Sequence, residues 1–111
     1  MTTQIQTVAQ ERLQVPLSQI ISFCDRWKII EFSLFGSVLR DDFHLDSDID
    51  ILYQFAPNHG WNLFDIVHMK EELEQMFARK VDFVSKQSLQ NPYRRYEILR
   101  THQVIYRHEQ P

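Results

Sequence analysis

The sequence predicts an α/β (α+β) domain: a small mixed β-sheet with helices packed on one face. Segments rich in β-branched and aromatic residues at 29–35, 47–55 and 81–84 read as short strands. Apolar residues recur at helical spacing over 17–28 and 63–77, and the two kinds of segment interleave along the chain.

Residues 1–14 are polar and glutamine-rich, fitting either a frayed first helix or a tail. Pro16 suits a first helical turn, after which Leu17, Ile20, Ile21, Cys24 and Lys28 share one stripe. The strand at 29–35 stops at Gly36. A charged loop follows, and residues 47–55 alternate: Ile49, Ile51, Tyr53 and Phe55 on one side, Asp48, Asp50, Leu52 and Gln54 on the other. Pro57, Asn58 and Gly60 mark a loop, and Asn62 with Asp65 marks a helix start. Leu63, Ile66, Met69, Leu73, Met76 and Phe77 keep helical spacing, with Arg79 and Lys80 suited to the negative end of the macrodipole. In the strand at 81–84, Asp82 points away from Val81 and Phe83. Pro92 opens a last helix carrying Arg94, Arg95 and Arg100, and residues 103–107 fit a final strand or a helical extension.

At 111 residues, one domain over 1–111 with one core is expected. A hydrophobic content of 43% excludes a disordered tail, and a net charge of −3 supplies no general attraction to nucleic acid or membrane. No apolar run approaches the roughly 20 residues of a membrane span, so a cytoplasmic protein without direct nucleic-acid or membrane contact is expected. The lone Cys24 reads as a buried, inert thiol, and the five histidines lack zinc-ligand spacing. Trp61 and Phe64 read as a core cluster at the helix start, with an adenine-stacking wall or a partner contact as the alternative.

The chemistry concentrates between Gly36 and Asp50, where five of the fifteen acidic residues fall within ten positions. Such density is opposed by self-repulsion unless water or a cation offsets it. Asp48 and Asp50, two apart on a strand, project to one side as hard ligands suited to Mg²⁺, which completes its octahedron with water and substrate oxygens. Asp82 is the candidate third carboxylate, either for a second metal or as acceptor of a proton from an attacking hydroxyl. Gly36 permits close backbone approach and positive φ, and Ser37 with its neighbouring N–H groups can hold a polyphosphate. Arg40 can neutralise departing pyrophosphate. In residues 92–111, four arginines against two glutamates could meet an acidic partner or nucleotide phosphates, or simply solvate a helix.

The compound pattern Leu34-Phe35-Gly36-Ser37, Arg40 and Ser47-Asp48-Ile49-Asp50-Ile51 resembles the signature of the DNA polymerase beta-like nucleotidyltransferase superfamily. Within it, the chain is similar to the minimal nucleotidyltransferases, the antitoxin half of HEPN/MNT toxin-antitoxin pairs, over residues 17–107. The resemblance implies that fold and an Mg²⁺-dependent transfer of AMP from ATP to a tyrosine hydroxyl of a cognate HEPN ribonuclease toxin, which would silence the toxin. It also implies that Asp48 and Asp50 are the metal pair, Asp82 the third carboxylate, and Gly36 and Ser37 the phosphate turn; Arg40 matches a family arginine. Asp41 stands where the family commonly has glycine. Two alternatives remain open: a non-catalytic antitoxin acting by contact, and a nucleotidyltransferase acting on a small molecule.

Overall fold

The computed structural model describes residues 13–40, 43–44 and 46–108. Most of the glutamine-rich segment at 1–14 therefore lies outside the described residues, as do Asp41 and Asp42. The elements are α1 (Leu17–Trp27), β1 (Ile29–Phe35), a 3-10 turn (Gly36–Leu39), β2 (Ile49–Phe55), α2 (Leu63–Phe77), β3 (Val81–Ser85), a second 3-10 turn (Lys86–Ser88), α3 (Pro92–Thr101) and β4 (Gln103–Arg107). Residues 103–107 thus form a strand. Among the described residues no helix is long and apolar enough to cross a membrane.

The sheet order is β3-β2-β1-β4. β1 pairs antiparallel with both β2 and β4, whereas β2 and β3 are parallel. Parallel neighbours need a crossover connection, and α2 supplies it. As the central antiparallel strand, β1 is buried along almost its whole length.

Helices α1 and α2 cover the face bearing Phe32, Leu34, Ile49 and Ile51, and Ile20, Phe23, Met69 and Leu73 complete that core. Phe23, which the periodic stripe did not include, is fully buried there; Lys28, which it did include, is exposed. Lys28 closes α1 in the left-handed region (φ 60°), sending its N–H to Cys24 O, because the chain must reverse there into β1. Pro16 is the N-cap rather than a residue of the first turn. Burial pushes the Cys24 thiol well up, which keeps it un-ionised.

The expectation of helices on one face describes α1 and α2 but not α3. Ile98 of α3 packs with Phe35, Leu52 and Leu89, a separate cluster on the opposite face. The alternation of β2 explains this: Leu52 points away from the main core and needs its own cover. α2 opens with a capping box, in which Asp65 N–H donates to Asn62 Oδ1 (2.9 Å) and Asn62 N–H donates to Asp65 Oδ2 (3.0 Å). Its last turn carries no basic residue; Ala78 ends it at φ 55°, leaving Arg79 and Lys80 beyond the helix.

Candidate functional site

Phe35, the last residue of β1, lies opposite Asp50 of β2, and Asp50 lies opposite Asp82 of β3. Residues paired across neighbouring strands share a face, so Asp50 and Asp82 sit side by side on the face away from the main core. Asp48 precedes β2 by one residue and is exposed; Asp50 is half-buried. Asp82 is exposed because β3 is an edge strand.

Gly36 has φ +75°, which L side chains rarely adopt. A Cβ at this position would also overlap Asp50 Oδ2. The glycine is therefore required twice: by the backbone, and by the carboxylate that rests on it. Ser37 N–H donates to that carboxylate. Part of the expected phosphate-binding backbone is thus already engaged with the acid. The Ser37 hydroxyl makes only a long contact, 3.5 Å, with Asp48 O. Arg40 N–H donates to Ser37 O (2.9 Å) and ends the 3-10 turn.

The Asp50 carboxyl is held above the ordinary carboxylate range, first by burial, then by the negative charges of Asp82 and Asp48. The Ser37 N–H and the Arg40 charge oppose this incompletely. Glu31, on the same face of the sheet, is more buried but better compensated, with Lys86 Nζ at 3.2 Å and Arg107 Nε at 3.5 Å. Negative charge gathered at Asp48, Asp50 and Asp82, offset only in part by Arg40 and Arg94, suits a divalent cation. Among the described residues no three acidic, histidine or cysteine side chains close into a ready cage. That is compatible with Mg²⁺, which is usually held by one or two carboxylates together with substrate phosphates.

Arg79 enters the site although the sequence reading gave it only to the end of a helix, and Arg94, read as meeting an acidic partner or nucleotide phosphates, stands near an acid of this chain. Arg79 Nη1 donates to His44 O (2.8 Å) and Ser47 O (3.0 Å), tying the loop before Asp48 to the end of α2. Its guanidinium also lies over the Phe43 ring at 4.4 Å. Arg94 Nη2 of α3 stands 3.9 Å from Asp82 Oδ2. No local pattern announces either contact, since each joins segments far apart in the chain. His44 is used within its own loop, its N–H donating to Ser47 Oγ and its Nδ1 accepting from Asp46 N–H. Trp61 sits beyond the far end of β2, donating to Trp27 O (2.7 Å) with the two indoles edge to face. Phe64 is 78% exposed and belongs to no core.

A glycine turn carrying a hydroxyl, set against acids on two neighbouring strands of this fold, defines an enzyme that transfers nucleotidyl groups. The chain belongs to the nucleotidyltransferase domain family, whose sequence profile matches residues 17–105. It is 36% identical over 69 residues to the Methanocaldococcus jannaschii protein MJ1379, which bears the name of a protein adenylyltransferase; the match covers 62% of this chain and 69% of that one. Among solved structures, one of a minimal nucleotidyltransferase superposes with a TM-score of 0.66 at 30% identity, covering 90% of this chain and 97% of the other. A second, the MNT antitoxin in complex with a tri-AMPylated HEPN toxin of Shewanella oneidensis, gives a TM-score of 0.61 at 19% identity, covering 88% and 71%. This second likeness is one of fold alone.

Proposed function

We propose that the chain is a cytoplasmic antitoxin that transfers AMP from ATP to a tyrosine hydroxyl of a HEPN-type toxin and thereby silences it. The observation that carries this reading is the placement of Asp50 against Gly36 and in register with Asp82. The protein adenylyltransferase name of the M. jannaschii relative and the AMPylated toxin beside the S. oneidensis antitoxin support the choice of reaction and acceptor.

Asp48 and Asp50 would hold Mg²⁺, with Asp82 as the third carboxylate. When bound there, Mg²⁺ would supply positive charge to the phosphate oxygens. The Ser37 hydroxyl turns from its long contact with Asp48 O to donate to the β or γ oxygens. Asp82 accepts the proton of the incoming tyrosine hydroxyl as that oxygen bonds to the α-phosphorus, and the bond to the bridging oxygen breaks to release pyrophosphate. Arg40 offsets the charge of the leaving group.

The test is intact mass measurement of a HEPN partner after incubation with the chain, ATP and Mg²⁺. A gain of one or more adenylyl units is expected, and none with the Asp48→Asn/Asp50→Asn double variant. Full transfer by that variant overturns the metal assignment. Protection of cells by the double variant as good as that given by the parent would instead support neutralisation by contact alone.

A further inference from the structure

The chain carries four tyrosines, and their surroundings divide them. Tyr53 and Tyr106 are buried, the first stacked on Phe83 at 3.8 Å and the second donating to Asp25 Oδ1 (3.2 Å). Tyr96 is exposed but lies against the Arg100 guanidinium at 5.7 Å. Tyr93 is different: it is 84% exposed on the first turn of α3, and no hydrogen bond or ring contact among the described residues holds its phenol. It also stands beside the site, since the next residue, Arg94, reaches to 3.9 Å from Asp82 Oδ2. We propose that Tyr93 is itself an acceptor: one copy of the chain transfers AMP from ATP to the Tyr93 hydroxyl of a second copy. The inference rests on the nucleotidyl-transfer reading above.

The helix decides between transfer within one molecule and transfer between two. Asn91 Oδ1 accepts from Tyr93 N–H (2.9 Å) and Arg94 N–H (3.1 Å), which fixes both residues in the first turn. Neighbouring residues of a helix point about 100° apart, so with Arg94 turned toward Asp82 the Tyr93 ring faces outward. Its own acids are therefore out of line, whereas those of another copy are open to it. Asp82 lies exposed on edge strand β3, where no further strand of the sheet blocks approach. Charge favours the encounter as well: Arg94 and Arg95 follow Tyr93, and the opposing site gathers Asp48, Asp50, Asp82 and the phosphates of ATP. In the step itself, the Tyr93 oxygen bonds to the α-phosphorus of ATP on the donor copy, and the bond from that phosphorus to the bridging oxygen breaks. Pyrophosphate leaves, and the phenolic proton passes to Asp82 of the donor copy.

A pair of variants separates donor from acceptor. Tyr93→Phe keeps the acids and serves as donor, while an affinity-tagged Asp48→Asn/Asp50→Asn variant keeps Tyr93 and serves as acceptor. Mixed with ATP and Mg²⁺, the acceptor should gain one adenylyl unit in intact mass, located at Tyr93 by peptide fragmentation, at an initial rate proportional to donor concentration. The donor should stay at its own mass. A HEPN partner incubated with the same donor gives the parallel measure of transfer. Modification of that partner, with none of the acceptor copy at Tyr93, overturns self-transfer and spares the proposed function. Modification of neither overturns both.

Discussion

Replacing Gly36 by alanine tests the geometry on which the site depends, and its cost divides into two parts. The first is backbone: at φ +75° a side chain is strained, by about 1–2 kcal/mol for a residue in the left-handed region. The second is the overlap of the new Cβ with Asp50 Oδ2. Relieving it displaces the carboxylate from the Ser37 N–H, a charge-assisted bond worth roughly 1 kcal/mol at a half-exposed site after allowance for solvent screening. The total expected in urea denaturation is about 2–3 kcal/mol.

In an Asp50→Ala background the overlapping carboxylate is gone, and the Cβ of residue 50, at 3.4 Å, makes an ordinary contact. It should then cost only the backbone part, about 1–2 kcal/mol, leaving a coupling of about 1 kcal/mol in the double-mutant cycle. Transfer activity of Gly36→Ala alone should fall by about a hundredfold, the usual effect of misplacing a reacting group by 1 Å. Equal costs of Gly36→Ala in the two backgrounds would refute the claim that the carboxylate rests on the glycine. Unchanged activity would refute its relevance to chemistry.

Asp50 also gives the fold a pH dependence of definite sign. Because its folded-state value is raised, its contribution to stability is fully present below the ordinary carboxylate value of 3.8 and is lost as pH rises through the raised value. In chelator-containing buffer Asp50→Asn should therefore melt above the parent at neutral pH, with the gap closing as pH falls toward 3.8; a lower melting temperature for the variant at neutral pH contradicts this. Arg79→Ala removes the two donors to His44 O and Ser47 O. It should cost about 1–2 kcal/mol, speed amide exchange over residues 43–48 and slow transfer about tenfold, whereas unchanged exchange would show that Arg79 does not hold the loop.

The parts of this fold legible in the sequence are those set by short-range periodicity. The two-residue repeat of 49–55 sorts Ile49 and Ile51 from Asp50 and Leu52 without knowledge of any partner strand, and Asn62 with Asp65 marks the start of α2 by chemistry confined to one turn. The meeting of Asp50 with Asp82 is different. It depends on a parallel register set by the whole α2 crossover, and no local pattern encodes that length match. The place of α3 was hidden for a related reason: Ile98 is its only buried residue, so the helix carries almost no apolar stripe to read.

That poverty of apolar contact has a consequence for the site. The second face of the sheet must cover Phe35 and Leu52 yet leave Asp50 and Asp82 reachable, although these residues are immediate neighbours across the strands. A helix with a broad apolar face would bury all four together, and the desolvation already raising Asp50 would become prohibitive without a cation. A helix that contributes Ile98 with Leu99 beside it, and otherwise polar residues, covers the hydrophobic pair and stops there. Its polar side then borders the acids, with Arg94 toward Asp82 and with Glu97 and Arg100 lining the cleft beside Gly36. The weak amphipathicity that concealed α3 in the sequence is thus the property that keeps the carboxylates open to a nucleotide.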